Sequence, residues 1–161
     1  MDKNNKIREE LLDSVKELSD EQLNKKVEDG SWTIMQVLEH LFLMERTVAY
    51  TISEQLKNNE CKPTSEKPIH LTVYRSTKVT APSFVTPSGE YTALEEMKTK
   101  LAESRKLMQQ VVDIADEVLL SQKSYPHPVF GSLSLKQWIP FVGLHEKRHI
   151  EQIEEIKGKL S

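Results

Sequence analysis

Apolar positions recur along this chain with a helical period. Ile7, Leu11, Val15 and Leu18 predict a first amphipathic helix over about residues 3–18. Ser19-Asp-Glu-Gln22 then offers a cap for a short turn or helix, and Glu28-Asp-Gly-Ser31 reads as a loop. Thr33 and Gln36 have the spacing of a capping box, and Trp32 and Val37 that of a hydrophobic staple. Together they predict a second helix that starts at 33, runs through Leu41, Met44, Val48 and Ile52 and ends near 56. Leu94, Met97, Leu101, Met108, Val112 and Ala115 mark a third, over about 90–118. Ser134 and Gln137 repeat the capping-box spacing, with Leu133 and Trp138 as the staple pair. The fourth helix they open, over 134–158, carries its apolar residues at Trp138, Val142, Ile153 and Ile156. Pro140 lies inside it, where a missing backbone donor predicts a kink.

Between the second and third helices, residues 57–88 are polar and broken by Pro63, Pro68, Pro82 and Pro87. Leu71-Thr-Val-Tyr74 predicts a short extended piece there. A connection of this length is expected to be functional or to cross between the ends of a bundle. Ser124-Tyr-Pro-His-Pro-Val-Phe-Gly131 reads as a loop. Four long amphipathic segments imply an all-α, four-helix bundle, expected to form one domain over 1–161.

With 161 residues the chain can bury a substantial core. Its net charge of −3, with Lys and Arg interleaved among Glu, argues against nucleic acid as a partner. Cys61 is the one cysteine, so no intrachain disulfide is available. The first ten residues hold no apolar signal core, and no apolar run approaches membrane-spanning length. These features lead to the expectation of a soluble, cytoplasmic protein acting on a small molecule.

His145 and His149 are one helical turn apart near the middle of the fourth helix's apolar face. Two imidazoles at that spacing can approach one metal ion, or each can be a core histidine bonded to a neighbouring group. His40 sits at the edge of the second helix's stripe, where a boundary histidine with its tip near water is the plain reading. In a bundle, inward side chains on facing helices build metal sites. His40, His145 and His149 would supply three nitrogens and leave one position for water or substrate, as in catalytic zinc sites. His145-Glu-Lys-Arg-His149 also spells H-E-x-x-H, but positions 152 and 155 are Gln and Glu, so the longer protease signature is absent. Glu146 is a candidate base, or else a solvated partner of Lys or Arg. Gln152, one turn beyond His149, is a candidate partner for a ligand imidazole or a polar residue closing the core. Arg105, inside an apolar stripe, either snorkels to a bundle end or points into a pocket as an anion-binding group. His127, between two prolines, is a candidate for the rim of a site. His70 and Cys61 read as surface residues.

Trp32-Thr-x-x-Gln-x-x-x-His40-Leu41, then Gly131-x-Leu-x-x-x-Gln-Trp138 and His145-Glu-x-Arg-His149-x-x-Gln152-Ile153, resemble the DinB/YfiT-like superfamily. The resemblance covers nearly the whole chain. It implies an up-down-down-up four-helix bundle and a divalent metal, most often zinc or nickel, on His40, His145 and His149. It implies a bacillithiol-type thiol S-transferase using a low-molecular-weight thiol co-substrate, or a metal-dependent hydrolase, and often a homodimer. A metal that only ties two helices together is the non-catalytic alternative.

Overall fold

The computed structural model describes residues 1–76 and 78–160; Thr77, in the long connection, and Ser161 lie outside the described residues. The chain forms α1 (Asp2–Val15), α2 (Asp20–Leu23) and α3 (Ile34–Lys57), then two short 3₁₀ turns at Ile69–Val73 and Ser83–Val85. It continues as α4 (Leu94–Ile114), α5 (Glu117–Gln122), β1 (Ser124–His127), β2 (Gly131–Ser134) and α6 (Leu135–Gly158). The long helices α1, α3, α4 and α6 are the four expected from the apolar period.

The helix starts follow their caps. Ser19 with Gln22, and Thr33 with Gln36, form complete capping boxes, each satisfying two otherwise orphaned backbone donors. Ser134 accepts from the Gln137 amide, but the reciprocal bond of the box is not made. The Gln137 side chain instead pairs with both the amide and the carbonyl of Lys67 and ties down the long connection. α6 runs unbroken through Pro140.

Three sequence expectations are corrected. The third helix does not reach 118: Ala115 is extended, and Asp116 caps the separate α5 through the Val118 and Leu119 amides. Leu71-Thr-Val-Tyr74 is not extended; it lies in and just after a 3₁₀ turn. A strand needs a neighbour to pair with, and this apolar run is too short to declare its period. The stretch 124–131 is not all loop, because β1 pairs antiparallel with β2, His127 opposite Gly131. Its two prolines and lack of alternation hid the strand. Gly131 sits at φ +72°, a conformation that favours glycine at the turn.

Hydrogen bonds between elements set the directions. Asn4 donates to the Ile139 carbonyl and Lys157 to that of Ser14, so α1 and α6 run parallel. Close contact at the first end is allowed by Gly143, where an added Cβ would collide with Asn4. Ser88, just before α4, donates to Glu39 near the start of α3, so α3 and α4 begin at the same end. Asn24, after α1, bonds Thr92, which places the start of α4 beside the end of α1. The order is therefore up-down-down-up, and the connection at 58–93 is the crossover between two parallel helices.

The core comes in two apolar halves. One joins Leu11, Val15, Ile34, Leu38, Leu101 and Ile153; the other joins Val48, Ile52, Met108, Leu133, Trp138 and Val142. Between them lies a layer of charge. Arg8 Nε donates to Glu146 Oε1 at 2.5 Å and its Nη2 to Glu45 Oε1 at 3.0 Å. Arg105 Nε donates to Glu45 Oε2 at 2.7 Å and its Nη2 to Glu146 Oε2 at 2.9 Å. The result is a closed ring of alternating charge with one member from each long helix. Glu45 and Glu146 are 0% and 1% exposed, so water contributes almost nothing to their solvation. Ser104 and the Leu101 carbonyl complete the bonding. Desolvation lowers the pKa of Arg8, but Glu146 and Glu45 together raise it above its ordinary value.

Breaking such a ring by removing one partner strands a buried charge. Glu146→Ala is expected to lower the free energy of unfolding by about 3–5 kcal/mol, read from urea unfolding. A loss below about 1 kcal/mol would show that the ring does not hold the helices together.

Candidate metal centre

One helix turn decides which side chains face which way. Along α6, Val142, Glu146 and Ile153 share the stripe that enters the core, whereas His145, His149 and Gln152 lie roughly a quarter-turn round from it. α3 divides in the same way: Glu45 lies with Leu38 and Ile52, and His40 with Met44 on the adjoining face. The two histidine faces meet. His40 and His145 are 4% and 8% exposed, and His149 is half-buried.

The three Nε2 atoms converge. His40 Nε2 is 3.1 Å from His145 Nε2, which is 3.2 Å from His149 Nε2. One metal-ligating atom from each residue lies within 4.8 Å of the others. Outer bonds fix the rings. His40 Nδ1 is 2.7 Å from the Val85 carbonyl, which can only accept, so the proton is on Nδ1 and Nε2 carries a lone pair. His149 Nδ1 donates to Gln152 Oε1 at 2.7 Å, with the same consequence. Two lone pairs thus face His145 Nε2. A single proton there satisfies one neighbour well and leaves the other exposed to repulsion. A cation satisfies all three. Nitrogens about 2.0–2.1 Å from one tetrahedral ion stand about 3.3–3.4 Å apart, close to the separations found. The residues therefore fit a divalent ion.

Burial keeps the ligands neutral. It lowers His40 against the opposing pull of the Val85 carbonyl, and pushes His145 well below the ordinary imidazole range. His149 is brought down to about 3, chiefly by burial and then by its neighbour His40. Neutral imidazole is the form that binds metal.

The triad opens onto a cavity of about 920 Å³. Trp138 and Phe141 of α6, with Tyr125, His127 and Phe130 of the β1–β2 hairpin, line one side. Trp32 packs against His40 with ring centroids 5.0 Å apart. Leu71, Thr72, Tyr74 and Arg75 of the long connection line another side. Arg148 donates to the Thr72 and Tyr74 carbonyls, and Arg75 pairs with Glu155 at 2.7 Å.

The structure brings His40, His145, His149, Gln152 and His127 to this cavity. His40 is buried rather than at the water boundary, because the turn at Ser83–Val85 covers it. Glu146 and Arg105 are not among the cavity's lining residues. Glu146 follows His145 by one residue, about 100° round the helix, and is buried in the ion ring rather than solvated. Arg105 neither snorkels free nor enters the cavity, since Glu45, Glu146 and Asn5 hold its guanidinium. Cys61 is exposed, as expected of a surface residue.

The sequence reading passed over Arg8, Glu45 and Val85. Arg8 falls on the Leu11–Val15 stripe and Glu45 on the Leu38–Ile52 stripe, so charged residues at core positions were the available signal. No local signal marks the Val85 carbonyl.

The family model described as the DinB superfamily matches residues 5–153. The chain belongs to the DinB superfamily. It is 36% identical over 157 residues to YuaE of Bacillus subtilis (strain 168), an uncharacterized protein, covering 97% of this chain and 96% of that one. A solved structure titled as that of TT2238, a four-helix bundle protein, superposes with a TM-score of 0.65 at 21% identity. That match spans 96% of this chain and 94% of the other, and supports the four-helix fold. Among the described residues of this superfamily member, no helix is long and apolar enough to cross a membrane.

Alanine at His40, His145 or His149 is expected to weaken zinc binding by at least ten-fold and to abolish the rise in melting temperature that zinc gives. Full metal retention in all three variants, by elemental analysis of untagged protein, would exclude the triad. The metal-free protein should also respond to acid. A histidine whose folded pKa lies below 6.5 contributes stability that is full above 6.5 and is lost as pH falls toward the folded value, about 3 for His149. Urea midpoints are expected to fall steadily below pH 6.5, less steeply in His149→Ala.

Proposed function

We propose that this DinB-superfamily protein is a metal-dependent enzyme that transfers a low-molecular-weight thiol, of the bacillithiol type, to a small electrophile. The observation that carries the reading is the all-histidine triad opening onto an apolar-walled cavity. Zinc or nickel held by the three Nε2 atoms would supply the positive charge that acidifies a thiol or a water brought beside it.

The protein's own groups do the rest. The Val85 carbonyl and Gln152 hold two imidazoles in the tautomer that presents a lone pair. All three ligands are neutral, so none cancels the charge of an ion. Trp138, Phe141 and Phe130 offer apolar surface for the electrophile and limit the water beside it. Arg75, Lys78, Arg148 and Lys159 outnumber Glu28 and Glu155 among the described residues of the cavity, which suits a thiol bearing carboxylates. Cys61 is exposed and outside the cavity, so the thiol comes from solution. Glu146, the base that an H-E-x-x-H protease requires, is held by two guanidiniums on the core side. That placement favours thiol transfer over water-based cleavage.

Metal-loaded protein is expected to accelerate the reaction of bacillithiol with monochlorobimane, in which sulfur displaces chloride and the thiol proton passes to solvent. The acceleration should disappear in His149→Ala. No acceleration with any cellular thiol, together with metal-dependent cleavage of an ester or amide, would assign the cavity to a hydrolase.

A further inference from the structure

His127 ends β1 and lines the cavity. Its Nδ1 accepts two backbone bonds from the hairpin turn, from the Val129 amide at 3.0 Å and the Phe130 amide at 3.3 Å. An acceptor nitrogen carries no proton, so the ring is the Nε2–H tautomer. The turn thus orients the ring and fixes its proton at the same time. Nε2–H has no partner among the described residues.

The surroundings are aromatic. Phe141, Phe130 and Trp138 lie 4.7, 5.0 and 5.2 Å from the His127 ring, centroid to centroid. Phe141 in turn stacks on the ligand His145 at 5.6 Å, so a single ring separates His127 from the triad. Burial lowers the pKa of His127 to about 4, so it offers a dipole rather than a charge at neutral pH. An unpaired donor set among aromatic rings discriminates strongly, because a bound molecule without an acceptor leaves that donor unpaired.

We propose that His127 selects the substrate. Its Nε2–H donates to an uncharged acceptor oxygen, a carbonyl or nitro group, on an apolar electrophile lying against the Trp138 side of the cavity. This rests on the reading that the cavity takes a small electrophile, and it adds the electrophile's chemical class. A plain structural role would use Nδ1 alone, to cap the turn, and would leave Nε2–H irrelevant to binding.

The test separates those two nitrogens and needs no turnover. Acetophenone and α-methylstyrene have nearly the same planar shape, with C=O in one and C=CH₂ in the other. Dissociation constants for both are measured by ligand-observed NMR without any thiol, on zinc-loaded and on metal-free protein. His127→Phe removes both nitrogens. His127→Asn retains an oxygen that can accept the turn amides but places no donor where Nε2 stood. In both variants the ratio of the two constants is expected to shift against acetophenone by about five-fold, with α-methylstyrene binding unchanged in His127→Asn. In wild type, ¹⁵N spectra are expected to show the Nε2–H tautomer at neutral pH. No saturable binding of acetophenone to wild type, an unchanged ratio in both variants, or the Nδ1–H tautomer would each overturn the proposal. So would a preference for acetophenone that vanishes with zinc removal and ignores His127, because the ion would then be the recognising group. If thiol transfer fails while the ratio shifts as expected, the reaction assigned above is wrong and the acceptor site stands.

Discussion

The ring of Arg8, Glu45, Arg105 and Glu146 is the constraint on which the rest of the bundle depends. Apolar packing alone tolerates sliding, because one leucine substitutes for another at little cost. Buried charges do not. Each carboxylate here is almost fully buried and is bonded by two guanidiniums. A slip of one residue along a helix moves a side chain about 1.5 Å axially and 100° round, enough to strand a carboxylate without a partner. The cost of a stranded buried charge exceeds the gain from most alternative packings. The ring therefore specifies one register among α1, α3, α4 and α6. That register includes α3 against α6, and so His40 opposite His145.

The same layer of the bundle contains both polar assemblies, back to back. On α6, His145 and Glu146 are adjacent in sequence and serve different ones. Proximity matters because the histidine triad lacks the balance of the ring. Neutral imidazoles with two lone pairs directed at His145 Nε2 are held together by covering groups, among them Val85, Trp32 and Gln152. Rigid neighbours hold such ligands in place before an ion arrives, and an ion that fits then stabilises the folded state.

The four long helices were legible because their apolar period is strong and their caps are local. Thr33 and Gln36 are three residues apart, so the box that starts α3 is written in one place. The histidine triad was legible for a related reason: i, i+4 spacing on α6 and a third histidine on a stripe are local patterns, and the family motif joined them. What failed to show depends on pairing across distance. The hairpin of Ser124–His127 with Gly131–Ser134 is set by its partner strand, not by alternation. Arg105 was visible as an anomaly in a stripe, but its meaning lay in Glu45 and Glu146, on two other helices. Arg8 and Glu45 were equally visible at core positions. Only the two together explain why either is there.

Glu146 shows how far a motif can be trusted. His-Glu-x-x-His spells two metal ligands and a base when the glutamate can reach the ion's side of the helix. Here both histidines keep their place and the glutamate does not. Arg8 and Arg105 approach from the core side, and two charge-assisted bonds at 2.5 and 2.9 Å hold the carboxylate there. Turning it toward the cavity would leave both guanidiniums short of a partner inside the core. The base is thus removed from the chemistry by the interaction that aligns the helices. Among the described residues, the carboxylates that do line the cavity, Glu28 and Glu155, are paired with Lys159 and Arg75. An ion held by these histidines would have to ionise a nucleophile without help from Glu146, a far smaller demand for a thiol than for water.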